Sequence, residues 1–170
     1  GGARERGRLV ESEIHGELDK QARAILRRTF ASVREWLGAR FPERAASFDR
    51  HAWGFHVTLE DERSGGPSLA LPAAVAFASA MLERPVPQDL VFTGALSYDA
   101  LATISVRRIG GLGRKLEATL LAGARGLVFP AAQWEEAISG QVIPPRFARE
   151  IAQPVASIDE ALALVDRWRR

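Results

Sequence analysis

From Leu69 to Leu82 the chain reads LALPAAVAFASAML, an uncharged, alanine-rich apolar run of 14 residues containing one proline, Pro72. A bilayer span needs about 20 consecutive apolar residues, so this run is too short to cross a membrane and must be sheltered by the rest of the chain. With 46% hydrophobic residues in 170, the sequence can build a real core within one domain. The run is predicted to be a helix from Ser68 to about Glu83. If that helix starts near Pro67, Pro72 removes an interior hydrogen bond and should kink it.

Other segments divide between helical and strand periods. RLVESEI (8–14) reads as a strand. Leu18, Ala22, Ile25, Leu26, Phe30, Val33 and Leu37 follow a helical period, with Gly38 as the stop. A polar connector turns at Pro42. WGFHVTL (53–59) alternates Trp53, Phe55, Val57 and Leu59 against Gly54, His56 and Thr58, the pattern of a half-buried strand. EDERSGGP is a loop. DLVFTGAL and LATISVRR read as two strands joined by the turn SYDA. GLGRKLEATLLAG is a helix closed by Gly123, GLVFP a buried strand and AAQWEEAI a short helix. SIDEALALVDRW opens with Ser157 and Glu160 in capping-box spacing and forms a terminal helix. The expected class is α+β, with small mixed sheets packed against helices.

Composition narrows the function. Without cysteine there is no disulfide framework or thiolate metal site, and the N-terminal residues contain no apolar secretory stretch. Both fit a cytoplasmic setting. The formal charge is only +2, and acids are interspersed among the arginines, so nucleic acid is not an expected partner. One imbalance is more informative. Of 23 basic residues only Lys20 and Lys115 are lysines. A buried lysine can give up its proton and an arginine cannot, so position 115 is a candidate for a deprotonatable amine.

Ser68 is the candidate nucleophile. A serine hydroxyl needs a base to take its proton. His56 would serve in a Ser-His-Asp set, but no G-x-S-x-G elbow surrounds Ser68 and no aspartate is marked out by spacing. Lysine, with a pKa of about 10.4 in water, becomes a base when burial lowers that value toward about 7–8. One turn on from Lys115, Ala118, Thr119 and Ala122 are small enough for a neighbouring element to approach, while Arg114 and Glu117 point elsewhere. A hydroxyl such as Thr93 in FTG would aim the amine. Glycines before Ser68 would leave backbone N–H groups facing a developing oxyanion, aided by the helix dipole. The plainer reading keeps Ser68 as a helix cap and His56 as an ordinary strand histidine. GGLGRK lacks the G-x-x-x-x-G-K-[ST] spacing of a phosphate loop, which argues against a nucleotide site there.

In order along the chain, GGPSLA (65–70), TGA (93–95) and IGGLGRKLEAT (109–119) resemble the proteolytic domain of Lon proteases, whose motifs read DGPSAG, TGE and IGGLKEKLLAA. RPVPQDLVFTG resembles the family's link between helix and strand. His56 in HVTLE resembles the histidine of HVPEG, 12 residues before the serine. The resemblance runs from about Arg8 to the terminal helix. It implies a single Lon-like domain over 1–170, the C-terminal part of a longer protein. It also implies Ser68 as nucleophile, Lys115 as general base, Thr93 orienting the lysine, the Gly66-Pro67-Ser68 backbone shaping the oxyanion site, and His56 in support. The implied substrates are unfolded polypeptides bound as extended strands, and the implied assembly is a homo-oligomer, a hexameric ring. No membrane partner is implied, and no cofactor for this domain; ATP would enter only through a separate ATPase module. The chain departs from the motifs at Gly65, Leu69, Ala95 and Pro72. These departures keep open a non-catalytic Lon-like domain that serves oligomerisation or partner binding.

Overall fold

A computed structural model describes residues 6–16, 18–56, 66–98 and 103–168. The chain is α+β. Its described strands are β1 (Leu9–His15), β2 (Trp53–His56), β3 (Leu90–Phe92), β4 (Ala95–Ser97), β5 (Ser105–Arg107), β6 (Gly126–Pro130) and β7 (Ala152–Val155). Its described helices are α1 (Lys20–Arg40), α2 (Ala45–Phe48), α3 (Ala70–Met81), α4 (Leu112–Leu121), α5 (Trp134–Ile138), α6 (Pro145–Ile151) and α7 (Ile158–Trp168).

Three small sheets result. β1 and β2 run parallel, β4 and β5 antiparallel, and β3, β6 and β7 form a parallel sheet with β6 in the centre. Every residue of β6 is buried. Val128 belongs to one apolar cluster, while Leu127 and Phe129 belong to another, as the two-residue strand period requires for a strand covered on both faces. The first cluster joins α1, α3 and α7. There α3 is buried nearly all round, and Phe77 meets Phe30 and Phe55 with ring centroids 5.1 and 5.0 Å apart. The second cluster joins α4, α5 and α6 through Leu112, Leu116, Ala137 and Ile151.

Several boundaries differ from the sequence expectations for local reasons. The long helix α1, capped by Asp19 accepting from the Ala22 N–H at 2.7 Å, passes through Gly38 and ends at Arg40, just before Pro42. Pro72 does not kink α3. A 3-10 turn occupies Pro67–Leu69 and the helix proper begins at Ala70, so Pro72 lies in the first turn, where a missing N–H has no helical partner to lose. The expected single strand DLVFTGAL is two strands, with Thr93 and Gly94 forming a corner between separate sheets. Helix α6 and strand β7 are additions to the sequence reading. Pro154 is tolerated on β7 because that strand is an edge. Val57 to Leu59, most of EDERSGGP and much of SYDA lie outside the described residues.

Candidate active site

Helix α4 buries Leu112, Leu116 and Thr119, which anchors its inner face and leaves Lys115 half-buried between that face and solvent. The Lys115 Nζ donates to Thr93 Oγ1 at 3.0 Å. Thr93 is itself buried, and its N–H donates to the Val128 carbonyl at 2.9 Å, so the amine is aimed by a residue fixed to the central strand. Burial pushes the Lys115 amine below the ordinary lysine value of 10.5, because a less polar setting disfavours the charged form. Among the described residues no carboxylate forms an ion pair with it.

Ser68 sits in the 3-10 turn ahead of α3. The turn closes with Leu69 N–H donating to the Gly66 carbonyl at 3.2 Å. The next tie runs to the Thr93–Gly94 corner: Gly94 N–H donates to the Ser68 carbonyl at 3.2 Å, and Leu71 N–H donates to the Gly94 carbonyl at 2.9 Å. Only glycine allows this approach. A Cβ at Gly94 would stand 2.9 Å from Val106 Cγ1 and 3.1 Å from Leu71 Cδ2. The serine is not a cap. Gly66 precedes the 3-10 turn and Leu69 precedes α3, and neither start carries a side-chain capping bond.

Gly66, Pro67 and Ser68 line one wall of an open cleft of about 890 Å³, and Ile109, Gly110, Gly111 and Lys115 line the other. The structure thus brings Ser68 and Lys115 to one cleft. No hydrogen bond joins their side chains among the described residues. Two expectations about α4 are corrected. Arg114 lines the same cleft instead of pointing elsewhere. Ala118 and Ala122 are exposed, so of the three small residues only Thr119 is covered by neighbouring elements. His56 is exposed at the end of β2, its ring 6.2 Å from that of His15, and it is not among the residues lining the cleft.

Sequence reasoning missed Gln133. Only 2% exposed, its side chain accepts from Ile109 N–H at 2.9 Å and donates to the Ile109 carbonyl at 2.8 Å and to Glu136 Oε2 at 2.9 Å. Buried amides need such partners. This clamp fixes the chain just before Gly111, whose positive φ of 68° starts α4 and whose carbonyl accepts from Lys115 N–H at 3.2 Å. The one available signal was a lone glutamine between a fully apolar strand and a tryptophan.

No family model matches the chain. Among curated proteins, it is 30% identical over 170 residues to the archaeal Lon protease of Pyrococcus abyssi, covering 99% of this chain and 15% of that protein. It is 29% identical to the mitochondrial Lon protease homolog of Candida glabrata over 85% of this chain and 13% of that protein. It is 31% identical to the Lon protease of Chloroflexus aurantiacus over 69% of this chain and 13% of that protein. The chain therefore spans only a small part of the length of these relatives. Over most of its own length it is related in sequence to the Lon proteases.

Proposed function

We propose that this chain is a serine endopeptidase domain in which Ser68 is the nucleophile and Lys115 the general base, acting on unfolded polypeptides. The observation that carries the reading is the setting of Lys115: a half-buried amine whose hydrogen-bond partner is a hydroxyl, in the cleft that also contains Ser68. In its neutral form the amine donates one N–H to Thr93 and keeps a lone pair for the Ser68 proton. As that proton transfers, Ser68 Oγ bonds to the scissile carbonyl carbon. The Lys115 ammonium then returns the proton to the departing amine, which leaves an ester on Ser68. Water gives a proton to the same amine as it attacks the ester carbon, and the resulting ammonium returns that proton to Ser68 Oγ as the ester C–O bond breaks and the acid product leaves. Backbone N–H groups of the Gly66–Ser68 turn would receive the oxyanion; Pro67 has none to offer. His56, away from the cleft lining, is assigned no proton-transfer step. Proteases by name among the relatives support the reaction class. Self-association, as a ring, and dependence on a separate ATPase module belong to the same proposal.

Cleavage of an unstructured protein such as casein tests it. Ser68→Ala and Lys115→Arg should each reduce turnover by about a thousandfold or more. Arginine keeps the charge and bulk but cannot act as a base. Activity in both variants equal to the parent would exclude the dyad. The second reading, a non-catalytic domain for assembly, is favoured by the missing Ser68–Lys115 hydrogen bond. It requires oligomers, seen by light scattering, with no cleavage by any variant.

A further inference from the structure

The charged side chains lining the Ser68 cleft are Arg108, Arg114 and Lys115, and no carboxylate lines it among the described residues. Arg108 is engaged: it donates to the Ala132 carbonyl at 3.0 Å and lies 3.5 Å from Glu136. Arg114 is exposed and makes no hydrogen bond or ion pair with any described residue. It lines the cleft together with Ser68 and Lys115, so a peptide lying in that cleft comes within reach of its guanidinium.

We infer that Arg114 makes this cleft selective for peptides with an aspartate or glutamate beside the bond to be cut, Arg108 adding to the same field. A carboxylate matches the planar donor fork of a guanidinium. The described residues of the cleft wall carry charge of one sign, which concentrates ligands of the other sign. The inference rests on the peptidase reading only for which peptide bond is cut; recognition of the acidic side chain requires the cleft alone.

Binding is therefore measured first, by fluorescence anisotropy of short labelled peptides added to the Ser68→Ala chain. The peptides share one sequence and differ only in carrying Glu, Gln or Lys at its centre. The Glu peptide should bind about fivefold more tightly than the Gln peptide at low salt, and added salt should shrink the advantage. Arg114→Gln should remove the preference, and Arg114→Glu should invert it toward the Lys peptide. Equal Kd values for the three peptides, or a Glu preference surviving in Arg114→Glu, would overturn the inference. Cleavage of the same peptides by the unsubstituted chain separates the two proposals. Cutting all three at equal kcat/KM overturns acid selectivity and leaves the peptidase reading standing. Glu-selective binding with no cleavage upholds acid recognition and removes the peptidase reading.

Discussion

The two halves of the cleft are rooted in different cores. Ser68 leads into α3, which is immersed in the large cluster with α1 and α7 and buried nearly all round. Lys115 rides on α4, which covers the smaller cluster with α5 and α6 on one face and leaves Leu121 79% exposed on the other. The Ser68 side is anchored by a helix buried on nearly all sides, with Ala76 and Ala80 exposed. The Lys115 side is an amphipathic helix held at its start by Gln133 and at its lysine by Thr93. The contrast suits the proposed dyad, in which a serine needs only a fixed position whereas a lysine must be neither fully immersed nor fully wet. Strand β6 serves both cores, Val128 facing one and Phe129 the other.

The sharpest way to break this division is to hollow out the smaller core. Phe129 is fully buried and stacks near Trp134 at a centroid distance of 6.5 Å. Phe129→Ala should cost about 3–5 kcal/mol, measured by urea denaturation. Because β6 is shared, unfolding should remain one transition by circular dichroism and fluorescence. Separate melting of the two clusters would show that they do not act as one unit.

A smaller effect is expected at the corner between them. Gly94→Ala places a methyl group against Val106 and Leu71 and should cost about 1–3 kcal/mol through overpacking. Thermal unfolding measures that cost, and cleavage assays at matched folded fraction should show a further drop as Ser68 is displaced. Unchanged stability would mean that the corner yields freely.

The mildest perturbation is pH. In the proposed dyad the neutral amine is the reactive form, so kcat/KM should rise with pH along a limb set below 10.5. Stability follows the same group. Between the lowered folded-state value and 10.5 the unfolded chain binds more protons, so stability should climb as pH rises through that window. Lys115→Met should flatten that climb in a series of denaturation curves, and an unaltered climb would assign it to other groups.

The elements that read most clearly were those whose pattern and punctuation agree. Strand β6 is five apolar residues between turns, and α7 opens on the predicted capping residues, with Glu160 N–H donating to Ser157 Oγ at 3.2 Å. Helix α6 starts on Pro145, directly after Pro144, and runs straight into a strand containing a third proline, so proline masked both. The break at Thr93 was invisible because FTGAL alternates acceptably as one strand; what divides it is the approach of α3, a contact from far away in sequence. For the site, the scarcity of lysine pointed to Lys115, and its hydrogen bond to Thr93 accords with that hint. The remaining ambiguity at Ser68, cap or exposed hydroxyl, depended on where the helix starts, and a 3-10 turn moved that start two residues on.

Thr93 accepts the lysine's N–H on its hydroxyl oxygen while its immediate successor, Gly94, grips the serine's carbonyl. Adjacent α-carbons across a trans peptide are held about 3.8 Å apart by a planar unit that hardly bends. Two groups distant in the chain are thus gauged against a single stiff link. Thermal jostling of either core reaches both groups through the same short ruler, so they tend to drift together and not apart.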